Sequence, residues 1–313
     1  MLFKLQQLVA LIFLGVLASN AASESFADYI PPELVKVSTP KVQTQTLVYN
    51  PGRYSYSISW QGIPVASAEI ILGEAPQLKR TDFTPNSDEV TMRVTAKTAK
   101  VIDLLYRLRH TSESTFDLKN LQPLAFTSDQ TENSKYRRTE ILFSPNRNIV
   151  SKMWKEPGGG EPSESSEFNS NNFTLDPLFG ALLARSLPVD KSTQTGFDIW
   201  NGKHRFLITF KVEGQDYIEI GKNKVLADRV VPTVQKLTDS EGENRIKSCT
   251  MWVSADERRE ILKLESKVLV GSVSAVLTGI EPLVTPISPP IIQAVQKEGT
   301  ETSGRAMLDT PKH

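Results

Sequence analysis

The side chains able to do covalent or metal chemistry in this sequence are few: three imidazoles, one thiol and some short hydroxyl, glycine and charge motifs. His110 closes a basic segment, Arg107-Leu108-Arg109; His204 stands two residues past Asn201-Gly202; His313 ends the chain. No His-Glu-x-x-His pair places two of them on one helix face, so a metal site or catalytic triad would have to be assembled across the fold. The expectation is that His110 and His204 are solvent-exposed strand residues. Cys249 has Met251 and Val253 on its own strand face, which suits a buried core cysteine better than the cationic, open setting of a reactive thiol. There is no Gly-x-Ser-x-Gly elbow. Gly158-Gly159-Gly160 lacks the Lys-Ser/Thr of a phosphate cradle, and Ser38-Thr39-Pro40-Lys41 matches Ser-x-x-Lys without its companion motifs. Asp256-Glu257-Arg258-Arg259 reads as a solvated turn, and Lys135-Tyr136-Arg137-Arg138 is too small to bind nucleic acid. Asn172-Phe173-Thr174 is a glycosylation sequon, relevant in a eukaryotic host. The residues therefore predict no catalytic, metal or cofactor site.

Charge and compartment narrow the classes further. Lys plus Arg number 36 and Asp plus Glu 36, so the basic surplus of a nucleic-acid binder is missing, as is overall attraction to anionic membrane. The chain opens with one early Lys, an apolar run from Leu8 to Ala18, and Ser-Asn-Ala-Ala, the grammar of a secretory signal over residues 1–22, cut near Ala21 or Ala22. An uncleaved anchor is the alternative. No Cys follows the apolar run, so lipoprotein attachment is not expected, nor is a transmembrane segment after cleavage. The expected location is the periplasm or cell envelope. A single cysteine forbids an intrachain disulfide, which leaves stability to an ordinary core.

The elements that must supply that core have period two. Tyr54, Tyr56, Ile58 and Trp60 alternate with serines; Val90, Met92, Val94 and Ala96 alternate with polar residues; Phe206, Ile208, Phe210 and Val212 do the same. Pro64 marks an edge or bulge, and Asn201-Gly202 suits a type I′ hairpin turn. Further strands are expected at 111–118, 124–129, 138–143, 149–154, 217–221, 224–234, 247–254, 260–267 and 272–278. Val101 to Leu108 fits either a short helix or a buried strand, and 157–172 a mobile loop. One strong helix interrupts the series, Asp176 to Pro188, with Asp176 as N-cap, Pro177 at the first helical position and Pro188 as stop. The fold class expected is mainly β: a strongly curved antiparallel sheet, half-barrel or open barrel, packed on one central α-helix. It would occupy 51–281 as one domain, after a linker or extended edge segment at 23–50 and before a Pro-rich, disordered tail at 282–313.

An apolar helix facing aromatic-rich strands can form solid core or one wall of a cavity. The candidate lining is Leu178, Phe179, Leu182 and Leu183 from the helix, with Tyr56, Trp60, Phe206, Phe210 and Trp252 from strands.

Three stretches resemble an uncharacterised bacterial envelope family, domain of unknown function 3108. They are Tyr54-Ser-Tyr-Ser-Ile-Ser-Trp-Gln-Gly-Ile63, Asp176 to Pro188, and Met251-Trp-Val-Ser-Ala-Asp-Glu-Arg-Arg259 followed by Gly271 to Leu277. They stand in family order across residues 50 to 280. Glu260-Ile261 departs from the family pattern, which has a Pro after the basic pair. The resemblance implies an exported, mostly β protein with no established activity and no catalytic residues to transfer. It also implies an architecture similar to the half-barrel of lipoprotein carriers, which hold acyl chains against a helix. The expected function is non-enzymatic: binding of a lipid, a lipoprotein acyl chain or an envelope protein in the concave face. The alternative is a structural or assembly factor with a solid core, and a secreted hydrolase ranks behind both.

Overall fold

The computed structural model describes residues 47–74, 88–186, 195–237, 248–267 and 271–283. The expected signal peptide, most of the linker and nearly all of the tail lie outside them. The described chain forms strands β1 (Gly52–Trp60), β2 (Ile63–Glu74), β3 (Glu89–Thr98), β4 (Leu108–Asp117), β5 (Gln122–Glu132), β6 (Lys135–Phe143), β7 (Asn148–Trp154) and β8 (Glu164–Asn169). The short β9 (Thr174–Leu175) leads into helix α1 (Pro177–Arg185). After it come β10 (Thr195–Trp200), β11 (Arg205–Ile220), β12 (Asn223–Lys236), β13 (Ser248–Ser254), β14 (Ile261–Lys267) and β15 (Ser272–Pro282).

All fifteen strands belong to one sheet, in the order β8-β7-β6-β5-β4-β3-β2-β1-β15-β14-β13-β12-β11-β10-β9. It is a meander whose two halves are joined by the antiparallel pairing of β1 with β15, from Gly52 opposite Pro282 to Trp60 opposite Val273. Only β9 with β10 runs parallel. The strands form because alternate side chains can be buried. On β1, Tyr54, Tyr56 and Ile58 are buried while Ser55 and Ser57 are half-exposed. Pro64 falls where the β1–β2 register shifts between Ile58 and Ser59, so the bulge, not an edge, accommodates its missing N–H.

The sheet is open, its edges being β8 and β9, yet residues 170–173 alone separate those edges along the chain. Side chains bridge the seam. Arg205 pairs with the buried Asp198 and donates to Ser170 Oγ at 3.0 Å and Asn171 Oδ1 at 2.9 Å, while Asn172 donates to Asp198 at 2.9 Å. Phe168 meets the Trp200 ring edge-on at 5.0 Å.

Four local expectations are corrected. Val101–Leu108 is neither helix nor buried strand: residues 99–107 make a turn, closed by Asp103 N to Ala99 O at 3.0 Å and Tyr106 N to Ile102 O at 2.8 Å. The segment expected to be a mobile loop contains β8, whose residues are exposed or half-buried, so no hydrophobic alternation announced it. Two expected strands, 206–212 and 217–221, are one continuous β11 with a register shift between Val212 and Gly214. Finally, Asn201-Gly202 does not form a two-residue turn. Residues 201–204 connect the strands, and Asn201 Oδ1 accepts from Lys203 N at 2.9 Å and His204 N at 2.7 Å. No helix among the described residues is long and apolar enough to cross a membrane.

Candidate functional site

The strongest local signal in the chain, Asp-Pro-Leu-Phe, starts α1 as its chemistry dictates. Asp176 is extended (φ −80°, ψ 164°), and its Oδ1 accepts from Leu178 N at 2.9 Å and Phe179 N at 3.0 Å. Its Oδ2 accepts from Ser114 Oγ on β4 at 2.8 Å. Burial raises its carboxyl to about 6, against those hydrogen bonds, which favour the charged form. All nine residues of α1 are buried. Phe179 stacks on Phe116 of β4 at 4.5 Å, and a Cβ on Gly180 would come within 2.5 Å of Ile199 Cδ1 on β10. The helix ends at Ser186; Leu187 and Pro188, expected to complete it, lie outside the described residues.

At the other end Arg185 is turned inward. Its Nη2 meets Glu260 Oε2 at 2.9 Å and the Arg258 carbonyl at 3.1 Å, and its Nε meets the Arg259 carbonyl at 2.9 Å. Both partners of the pair are under one-tenth exposed, so the two charges replace water for each other. Glu260 Oε1 accepts from Asn50 Nδ2 at 3.0 Å, and Tyr54 Oη donates to the Asn50 carbonyl at 2.6 Å. Burial, with Glu260 beside it, pushes the Tyr54 phenol up to about 12. Arg259 pairs with the buried Asp228, and Ser186 Oγ accepts from Val48 N at 2.8 Å. The solvated-turn reading of 256–259 therefore needs correction at one end. Asp256, Glu257 and Arg258 are exposed, but Arg259 and Glu260 turn inward to clamp the helix.

A cavity of about 40 Å³ lies against this clamp, lined by Ala181, Leu182 and Arg185 of α1 and by strand residues including Tyr54, Tyr56, Phe210, Met251 and Glu260. Of the residues expected to line a pocket, Leu182, Tyr56 and Phe210 do so. Leu178, Phe179, Leu183 and Phe206 are buried in the same core without lining it. Trp60 and Trp252 are half-buried, and the Trp252 indole donates to Asp216 at 3.0 Å with the Lys263 ammonium over its ring at 4.7 Å. Sequence reasoning missed Arg185 and Glu260, the charged end of the cavity. The one signal was an Arg inside an otherwise apolar helix, which needs a partner. Cys249 also lines the cavity, half-buried rather than fully so, and burial pushes its thiol up to about 12.

His110 and His204 are buried, contrary to expectation, each 9% exposed. His110 Nε2 lies 2.7 Å from Ser112 Oγ on the same face of β4, and Ser112 in turn donates to Ser128 Oγ at 3.2 Å. Burial lowers the His110 imidazole to about 4, so it is neutral at pH 7. A neutral imidazole beside a hydroxyl is the start of a nucleophile–base pair. Here neither residue lines the cavity, and the hydroxyl serves to satisfy a core histidine. His204 sits on a different hairpin, at the β10–β11 connection. Among the described residues, no group of three or more His, Cys, Asp or Glu could hold a metal ion.

Comparison with known proteins gives structural likenesses at low identity. A beta-barrel-like protein of domain of unknown function DUF1849 from Brucella abortus is 11% identical, with 75% of this chain and 99% of that one covered, at a TM-score of 0.47. The Mycobacterium tuberculosis lipoprotein LppX is 11% identical over 75% of this chain and 89% of its own, at 0.22. The hypothetical lipoprotein YmcC from Escherichia coli is 12% identical over 84% and 100%, at 0.26. No curated protein matches. The family model for the protein of unknown function DUF3108 matches residues 55–278, the stretch that carries the sheet and α1, and the chain belongs to that family.

Proposed function

We propose that this protein is an exported, non-enzymatic envelope factor that acts through its outer surface, with the curved sheet and α1 forming a filled scaffold. The observation that carries this is volume. The space beside α1 is about 40 Å³. That is room for about three water molecules, against the roughly 300–1,000 Å³ of small-molecule sites. The Ser112–His110 pair supports no hydrolytic step, since both groups are committed inside the core.

A second reading, a lipid or lipoprotein acyl chain held between sheet and helix, draws on the composition of the same cavity. Its wall is mostly apolar, with Ile70, Leu72, Met92, Leu182 and Phe210, and its polar end is the Arg185–Glu260 pair. Admitting a chain would require α1 to move and that pair to separate. Native mass spectrometry of protein purified from its host, with lipid extraction and thermal shift against fatty acids, separates the two readings. The filled-scaffold reading expects the bare mass and no shift. A stoichiometric lipid that raises the melting temperature overturns it in favour of the second.

A further inference from the structure

The surface-acting reading leaves open which surface and against what, and the turn between β3 and β4 supplies both. Val101, Leu104 and Leu105 are 69%, 86% and 66% exposed, and Ile63, which opens β2 directly after the adjoining β1–β2 turn, is 60% exposed. The two turns are held side by side by Ala99 N to Val65 O at 2.9 Å. Large apolar side chains clustered in water are unfavourable unless something covers them.

The tip is also firmly built. Ile102 is half-buried and Tyr106 1% exposed, so both anchor the turn from beneath. Arg107 N donates to Asn133 Oδ1 at 2.9 Å, and Asn133 N returns to the Arg107 carbonyl at 2.8 Å. The one carboxylate of the turn, Asp103, accepts from Thr98 Oγ1 and Arg109, so its charge is matched by the start of β4. The exposed charges flanking the tip are then all cationic: Lys97, Lys100 and Arg107. In a chain of zero formal net charge this is a local basic collar around an apolar tip.

We propose that this turn docks the protein on an anionic lipid bilayer, with Val101, Leu104 and Leu105 entering the interface and Lys97, Lys100 and Arg107 meeting headgroup phosphates. The proposal rests on the surface-acting reading and names its partner. Apolar side chains gain free energy on entering the headgroup–acyl boundary, and each nearby cation adds attraction to anionic lipid. A second copy of this chain fits less well, because symmetric docking would bring the two collars of like charge together.

The test places an environment-sensitive nitrobenzoxadiazole label on Val101→Cys in the full chain carrying Cys249→Ser. Phosphatidylcholine vesicles are added with and without phosphatidylglycerol. The expected result is a blue shift and brightening with anionic vesicles that weakens in high salt. Adding Leu104→Ser with Leu105→Ser should weaken partitioning by about 100-fold, and Lys100→Glu with Arg107→Glu by about tenfold or more. Circular dichroism confirms that the variants remain folded. No shift with anionic vesicles overturns the proposal, as does an equal shift with both lipids. A shift that grows with protein concentration in the absence of vesicles identifies a second copy and also overturns it. The label reports on the turn alone. Its failure therefore leaves the filled scaffold standing, and a lipid found inside the sheet leaves bilayer docking standing.

Discussion

At its first residue α1 is held by a carboxylate whose amide partners are two and three positions along the chain; at its last, by a guanidinium whose carboxylate partner is 75 residues away. The capping at the Asp176 end is local, reinforced from the sheet by the Ser114 hydroxyl. The Arg185 end gathers three segments remote in sequence: residues 48–50, the β13–β14 turn and β1. The cavity lies at this second end. Starting the helix and holding it against the sheet are thus separate tasks, done by different residues. A mutation that leaves the first intact can still release the second.

The largest effect should come from unpairing the remote end. Arg185→Ala leaves buried Glu260 with the exposed Arg258 at 3.9 Å, and Glu260→Ala leaves Arg185 with backbone carbonyls. Either should cost about 3–5 kcal/mol in denaturant unfolding, while Arg185→Met with Glu260→Leu together should regain most of that. If either single variant unfolds like wild type, the clamp is not what holds the helix. At the local end, Asp176→Ala removes the cap and strands the Ser114 hydroxyl, an expected loss of about 2 kcal/mol. A loss larger than that of Arg185→Ala would reverse the ranking of the two ends.

Acid should set the Asp176 end against the buried histidines. His110 and His204 are each lowered to about 4 by burial, from an ordinary 6.5. The unfolded chain thus binds their protons first, and the stability they contribute, full above about 6.5, is lost as pH falls toward 4. Asp176 has the opposite sign: raised from 3.8 to about 6, it contributes most below its unfolded value and loses that contribution as pH rises through about 6. Net stability should fall on acidification, and Asp176→Asn should steepen the fall. Urea titrations between pH 4 and 8 that give parallel curves for the two proteins would remove Asp176 from this balance. The smallest effect concerns Asn50, which bonds Glu260 and the Arg258 carbonyl from a partly exposed position. Asn50→Ala should cost about 1 kcal/mol or less, and its effect should vanish in the Glu260→Ala background if the two act as one unit.

Much of the frame was legible because its signals are local. Alternation on β1, β3 and β11 comes from which side chains can be buried together, and the Asp-Pro start of α1 from which amides lack partners. β8 was not legible, since both its faces are wet and an edge strand needs no pattern beyond a neighbour to pair with. Nor was the 99–107 turn. Its apolar run resembles a buried element, and the contacts that hold it as a turn, Asp103 with Thr98 and Arg109 and Arg107 with Asn133, reach onto neighbouring strands and turns and leave no mark within the run.

The strand periodicity, the helix and its cap and the kinship with the family could all be read from the chain. Each of these rests on residue types or on spacings of a few residues. Only the assembled fold sets the pairing of β1 with β15 that joins the two halves of the sheet, the meeting of Arg185 with Glu260, the burial of His110 and His204, and the small space beside α1. These depend on contacts between residues tens to hundreds of positions apart. Such contacts are selected by the combined burial of many side chains, and no short window of sequence records that sum.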